Sequence, residues 1–171
     1  MSERAVVMGP GYVGLPVAIR AVEAGYDVVG FELDETKVAA LNAGSSHVED
    51  ITDERLAAAL ASGRYRASSD TADLADFDIA VISVPTPMRE GAPDLSYIER
   101  ASETLAPFVR EGSTVILEST TYPGTTEELA GPILAAGSGL DVGTGFHLGY
   151  SPERIDPGNA RYHLENTPKV V

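Results

Sequence analysis

The segment Gly9-Pro10-Gly11-Tyr12-Val13-Gly14 constrains this chain more than any other feature. It directly follows an apolar run at residues 4–8 and opens a stretch, 15–24, whose apolar residues recur at helical spacing. A lone Gly-x-Gly-x-x-Gly carries little weight, because 17 glycines in 171 residues give chance many openings. Between a strand and a helix, with a second apolar run at 27–31, it has the setting that a dinucleotide-binding fingerprint requires. Each glycine has its own physical task. Gly9 permits the tight turn, Gly11 lets the backbone approach a pyrophosphate, and Gly14 lets the helix pack close to the sheet, with Tyr12 and Val13 completing the loop. The helix then points unpaired N–H groups and the positive end of its dipole at the diphosphate.

The rest of the chain repeats the alternation. Runs rich in valine and isoleucine at 4–8, 27–31, 79–84, 114–118 and 146–150 read as buried strands. A short strand is expected at 65–67, and residues 169–171 read as the start of another. Helical spacing fills 15–24, 35–43, 53–61, 96–109 and 125–136. Strand and helix in alternation predict an α/β fold: a Rossmann-type, doubly wound, mainly parallel sheet with helices on both faces. Gly25, Gly44 and Gly63 stand where C-terminal caps belong, while Asp94 and Thr125 are candidate N-caps. Prolines crowd residues 84–87 and 90–93, so that segment is expected to leave the sheet as a loop.

Length and composition bound the rest. The 171 residues are enough for a single domain, 1–171, with its own core. With 43% hydrophobic and 22% charged residues, and no stretch near the roughly 18 apolar residues of a span, the chain reads as soluble. The opening residues lack the form of a secretory signal, so a cytoplasmic location is expected. Acidic residues outnumber Lys and Arg 26 to 12, a net charge of -14 that argues against nucleic acid and anionic membranes as partners. The densest acidic patch, residues 49–54, reads as a solvated loop and helix start. His47, His147 and His163 are scattered without metal-ligand spacing, so no metal is assigned; His147 reads as a core or hydrogen-bonded residue of its strand.

After the second strand comes Phe31-Glu32-Leu33-Asp34, and Glu32 lies 18 residues past Gly14, where an acid normally receives the adenosine ribose. A carboxylate there accepts from both ribose hydroxyls and repels a 2′-phosphate, which favours NAD over NADP. Two plainer readings stand beside it: a solvated strand-end acid, or Asp34 in the same role.

Three further segments complete a pattern: Ser83-Val84-Pro85-Thr86-Pro87, Glu118-Ser119-Thr120-Thr121-Tyr122-Pro123-Gly124-Thr125-Thr126, and Tyr150-Ser151-Pro152-Glu153-Arg154 with the Ile-Asp-Pro-Gly-Asn that follows. With the opening Gly-Pro-Gly-Tyr-Val-Gly-Leu-Pro they resemble the UDP-glucose/GDP-mannose 6-dehydrogenase family, in the right order over nearly the whole chain. The second and third segments look most like its UDP-N-acetylhexosamine 6-dehydrogenase branch. The resemblance implies oxidation of a sugar C6 alcohol to a carboxylate with two NAD, through an aldehyde captured by a cysteine, a thioester and hydrolysis, as a step of polysaccharide biosynthesis. It places Thr86 and Thr120 at the cofactor, with Thr120 also near the catalytic water, and gives Glu153 the role of assisting hydrolysis. Turn-capping hydroxyls, and an ion pair of Glu153 with Arg154, remain the plainer readings. Lys37 either reaches the adenosine ribose or phosphates or is a surface lysine.

The resemblance runs out at Val171, before the central helix and sugar-nucleotide half of the family, and the chain contains no cysteine. The expectation is therefore the NAD-binding domain of a longer enzyme, binding NAD without turnover on its own. The UDP-sugar substrate and a possible homodimer belong to the full-length protein. Two rivals remain: another dehydrogenase of the beta-hydroxyacid type, and a stand-alone NAD-binding or sensing module.

Overall fold

A computed structural model of the chain describes residues 3–89, 91–153 and 166–168. Its elements follow in the order β1 (Arg4–Met8), α1 (Gly14–Glu23), β2 (Asp27–Phe31), α2 (Glu35–Asn42), α3 (Asp53–Ala61), β3 (Tyr65–Ser68), β4 (Ile79–Ile82), β5 (Met88–Arg89), β6 (Ala92–Pro93), α4 (Ser96–Leu105), β7 (Thr114–Leu117), α5 (Gly131–Ser138) and β8 (His147–Tyr150). Six strands form one sheet in the order β3-β2-β1-β4-β7-β8, every pairing parallel. The order reverses between β1 and β4, and open α/β sheets bind ligands in the crevice at that switch point, beyond the carboxyl ends of the strands.

Strand alternation splits the core into two layers. Val6, Met8, Val29, Phe31, Ile82 and Leu117 face one side, where Ile98 and Leu105 of α4 and Leu134 of α5 cover them. Ala5, Val7, Val28, Val81 and Tyr65 face the other, under Leu15, Ala18, Ile19 and Val22 of α1, Leu41 of α2 and Leu56 of α3. The buried residues of α1 recur at i, i+3, i+4 and i+7, one stripe of the helix. Burial of Leu15 or Ile19 contributes roughly 1.5–3 kcal/mol each.

Local chemistry sets the boundaries. Gly25, Gly44 and Gly63 end the first three helices at φ of 100°, 82° and 70°, as their positions in the sequence predict. The acidic patch opens α3, with the Thr52 side chain accepting from the Arg55 N–H and Asp53 and Glu54 in the first turn. The fourth strand stops at Ile82, because Pro85 cannot extend the ladder. Expected helix 96–109 ends at Leu105 and tightens into a 3₁₀ turn, Ala106–Phe108, where Pro107 lacks an N–H.

Four expectations are corrected. The proline-rich loop contains a small antiparallel ribbon, Met88 opposite Pro93 and Arg89 opposite Ala92. Expected helix 125–136 begins as a π-helical turn, Thr125–Ala130, before α5, since Pro132 cannot donate to an α-helical partner. Its N-cap is Gly124 at φ 95°, not Thr125, whose hydroxyl instead donates to the Tyr122 carbonyl at 2.9 Å. His147 is exposed at the start of β8 rather than in the core, while its backbone N–H donates to the Ser113 carbonyl. The strand expected at 169–171 lies outside the described residues. No helix among the described residues is long and apolar enough to cross a membrane.

Candidate cofactor site

The chain leaves β1 at Gly9, whose φ of +88° is a left-handed conformation that side chains disfavour. Two backbone bonds set the turn: Gly9 N–H donates to the Phe31 carbonyl at 2.9 Å, and Gly11 N–H to the Gly9 carbonyl at 2.8 Å. The Ser83 hydroxyl, buried at the end of β4, lies 3.1 Å from both the Met8 and Gly9 carbonyl oxygens. A Cβ on Gly14 would lie 2.2 Å from the Gly9 carbonyl oxygen and 2.4 Å from Ser83 Oγ, so this glycine is closed by packing. A Cβ on Gly11 would meet nothing within 4 Å. The loop is thus tight below and open above.

The helix that follows begins without a side-chain partner for its N–H groups. Helix α1 has neither a side-chain cap nor an acid in its first turn. By contrast α2 is capped by Asp34 with Glu35 beside it, and α3 by Thr52 with Asp53 and Glu54. Acids at those ends satisfy orphan N–H groups and the helix dipole, and α1 leaves that role open. Pro16 sits in the first turn, between Leu15 and Val17, whose N–H groups donate to the Gly11 carbonyl at 2.9 Å and the Val13 carbonyl at 3.4 Å. Tyr12 is exposed on the loop and Val13 half-buried.

Beyond β2, half-buried Glu32 accepts through Oε1 from the Asp34 N–H at 3.1 Å, and its Oε2 lies 3.8 Å from Lys37 Nζ. Asp34 is engaged otherwise: its Oδ1 accepts from the N–H groups of Thr36 at 2.9 Å and Lys37 at 3.4 Å. Asp34 is thus engaged as the cap of α2, which leaves Glu32 as the strand-end carboxylate outside the cap. Lys37 is the counter-charge of Glu32.

At the other half of the switch point the loops after β4, β7 and β8 are tied together. Thr86 Oγ1 donates to the Thr120 carbonyl at 2.6 Å, and Ser119 Oγ to the Val84 carbonyl at 2.8 Å. Glu118, only 4% exposed, accepts from Ser151 Oγ at 3.3 Å. Thr120 is exposed, and half-buried Glu153 follows β8 in the same layer of loops. Thr86 and Thr120 are therefore in direct contact through a bond between loops, not through a local turn. Arg154, the plainer partner for Glu153, lies outside the described residues.

Residues 3–171 match the profile described as UDP-glucose/GDP-mannose dehydrogenase family, NAD binding domain. The chain belongs to this family, as its NAD-binding domain. The relatives it matches include UDP-N-acetyl-D-mannosamine dehydrogenase of Pyrococcus horikoshii, 38% identical over 98% of this chain and 40% of that protein. UDP-N-acetyl-D-glucosamine 6-dehydrogenase of Salmonella typhi is also 38% identical, over 96% of this chain and 38% of that protein. The solved structure of the Pyrococcus horikoshii UDP-D-ManNAc dehydrogenase superposes with a TM-score of 0.87 at 40% identity, covering 91% of this chain and 37% of that one. The chain thus spans about 40% of the length of the relatives it matches.

The cradle at Gly11 and the uncapped end of α1 fit the diphosphate of the family's cofactor, NAD. Three residues of this site escape the reading of the sequence for roles: Ser83, Ser119 and Glu118. The first two are small hydroxyls whose partners are backbone carbonyls of another strand, which no local pattern announces. Glu118 did leave a signal, a carboxylate closing an otherwise apolar run.

Proposed function

We propose that this chain is the cofactor-binding part of an NAD-dependent UDP-sugar 6-dehydrogenase acting on a UDP-N-acetylhexosamine or UDP-glucose, and that alone it binds NAD without turnover. The observation that carries the reading is the contrast between Gly14, closed by the Gly9 carbonyl, and Gly11, open above an uncapped helix end. The names of the matched relatives support the substrate class. Bound NAD supplies the hydride acceptor.

The residues then divide the work. Gly9 makes the turn and Gly11 lets the backbone approach the pyrophosphate, their own N–H groups being bonded within the turn, while Tyr12, Val13 and Gly14 offer it backbone N–H groups. Glu32 receives the adenosine ribose hydroxyls, with Lys37 neutralising part of its charge. Thr86 and Thr120, fixed by their mutual bond, border the nicotinamide end. Glu153 orients the water that attacks the acyl carbon in the last step and takes its proton, a task suited to a half-buried carboxylate. The nucleophilic cysteine has no counterpart among these 171 residues, since the chain holds none. We read the 1–171 stretch as one domain, placed in polysaccharide biosynthesis as part of the longer enzyme.

Calorimetric titration with NAD and NADP tests the cofactor site. NAD is expected to bind saturably and NADP weakly. Glu32→Ala should cost a charge-assisted hydrogen bond, roughly a 10- to 150-fold loss of NAD affinity. A folded chain that ignores NAD, or one whose Glu32→Ala form binds it unchanged, refutes the assignment. Steady NAD reduction by the isolated chain with a UDP-sugar refutes the claim that it does not turn over.

A further inference from the structure

The end of β7 is tied in two directions within three residues. Towards β4, Ser119 Oγ donates to the Val84 carbonyl at 2.8 Å and the Thr120 carbonyl accepts from Thr86 at 2.6 Å. Towards β8, Glu118 Oε1 accepts from Ser151 Oγ at 3.3 Å, beside the Ser151 N–H that donates to the Leu117 carbonyl at 3.0 Å. Glu118 is 4% exposed, at the end of a strand whose other described residues are apolar or threonine. Burying a carboxylate is costly unless hydrogen bonds hold it, so its presence there calls for a reason other than packing.

Sequence distance supplies the reason. Thr120 lies two residues beyond Glu118, and Glu153 lies two residues beyond Ser151. A bond between Glu118 and Ser151 therefore joins the loop carrying one functional residue to the loop carrying the other. The parallel ladder of β7 and β8 ends at the pair Leu117 and Tyr150, with one further backbone bond from the Ser151 N–H to the Leu117 carbonyl, and the Glu118–Ser151 side-chain bond reinforces it there. A carboxylate acceptor fixed in a buried position does this with less freedom than a solvated contact.

We propose that Glu118 is a positioning residue: through Ser151 it fixes the Glu153 loop against the Thr120 loop, and so sets the nicotinamide end of the NAD site. This rests on the cofactor reading above and deepens it. The consequence is selective. The nicotinamide end should depend on Glu118, and the ADP-ribose portion, held by the glycine loop and Glu32 several strands away, should not.

The test is calorimetry with NAD and with ADP-ribose on the wild-type chain, Glu118→Ala, Glu118→Gln, Ser151→Ala and the Glu118→Ala/Ser151→Ala double variant. Glu118→Ala and Ser151→Ala are expected to weaken NAD roughly five- to tenfold while ADP-ribose changes less than about twofold. Glu118→Gln keeps an acceptor oxygen and should restore most of the loss, and the double variant should be no weaker than the worse single one. An unchanged ratio of the two affinities in Ser151→Ala and Glu118→Ala, or an equal loss for both ligands, overturns the proposal. Wild-type chain that fails to bind NAD overturns the cofactor reading instead. Amide hydrogen exchange then judges Glu118 without ligand: Ser151 should exchange roughly tenfold faster in Glu118→Ala than in wild type, and equal rates overturn its positioning role.

Discussion

Two neighbouring glycines of one motif should fail in opposite ways. In Gly14→Ala the new Cβ would lie 2.2 Å from the Gly9 carbonyl oxygen, 2.4 Å from Ser83 Oγ and 3.0 Å from Val7 Cγ1. The nearest of these is backbone, so relief requires moving the turn itself, and overpacking of this kind costs roughly 2–3 kcal/mol. Alanine at a helical position returns about 1 kcal/mol of propensity. The balance, about 1–2 kcal/mol, lowers the melting temperature of a chain this size by about 2–8 °C, and the displaced turn also weakens NAD. In Gly11→Ala the methyl group meets nothing within 4 Å. Its stability should stay within about 0.5 kcal/mol of wild type, while NAD affinity falls at least tenfold or so because the methyl stands where the pyrophosphate approaches. Thermal melting followed by circular dichroism and NAD calorimetry on the same samples read both quantities. Wild-type melting and affinity in Gly14→Ala, or an equal loss of stability in both variants, would refute the division between a packing glycine and a binding glycine.

Two further outcomes follow from side chains away from the loop. The Tyr65 hydroxyl is buried with no hydrogen-bond partner among the described residues, and burial pushes its pKa up; Tyr65→Phe should therefore leave stability unchanged or raise it by about 1 kcal/mol, and a loss of that size in urea unfolding would show that the hydroxyl is bonded. The Asp73 carboxyl is held below its usual pKa by the Ser68 hydroxyl first and the Arg66 guanidinium second, so its contribution to stability is full above the unfolded value of 3.8 and disappears as pH falls through the lower folded value. Asp73→Asn should flatten that acid limb of a melting-temperature profile, and a limb as steep as in wild type counts against the coupling.

The strands and helices were legible because their signals are local. Valine-rich runs and glycines with φ of 70° to 100° after each of the first three helices need no knowledge of neighbours. Prolines were legible as interruptions but not as particular shapes. Pro107 lies in a 3₁₀ turn and a π-helical turn precedes Pro132, two different local answers to the same missing N–H. The ribbon of Met88–Arg89 with Ala92–Pro93 was hidden inside a loop because two-residue strands carry no periodicity.

The sequence by itself determined the order of elements, the place of the glycine turn and the acid at the end of β2, since each rests on backbone freedom or on spacing along the chain. It left open whether Glu32 or Asp34 serves the ribose; the structure engages Asp34 as the cap of α2, which supports the proposal of Glu32. Only the tertiary structure decided which side chains close the site: Ser83 against the Met8 and Gly9 carbonyls, Thr86 against Thr120, and Glu118 against Ser151. These partners are separated by more than 30 residues and meet because parallel strands bring distant loops to one end of the sheet, beyond their carboxyl termini. A hydroxyl or carboxylate carries no mark of the strand it will face, so those contacts exist only once the strand order does.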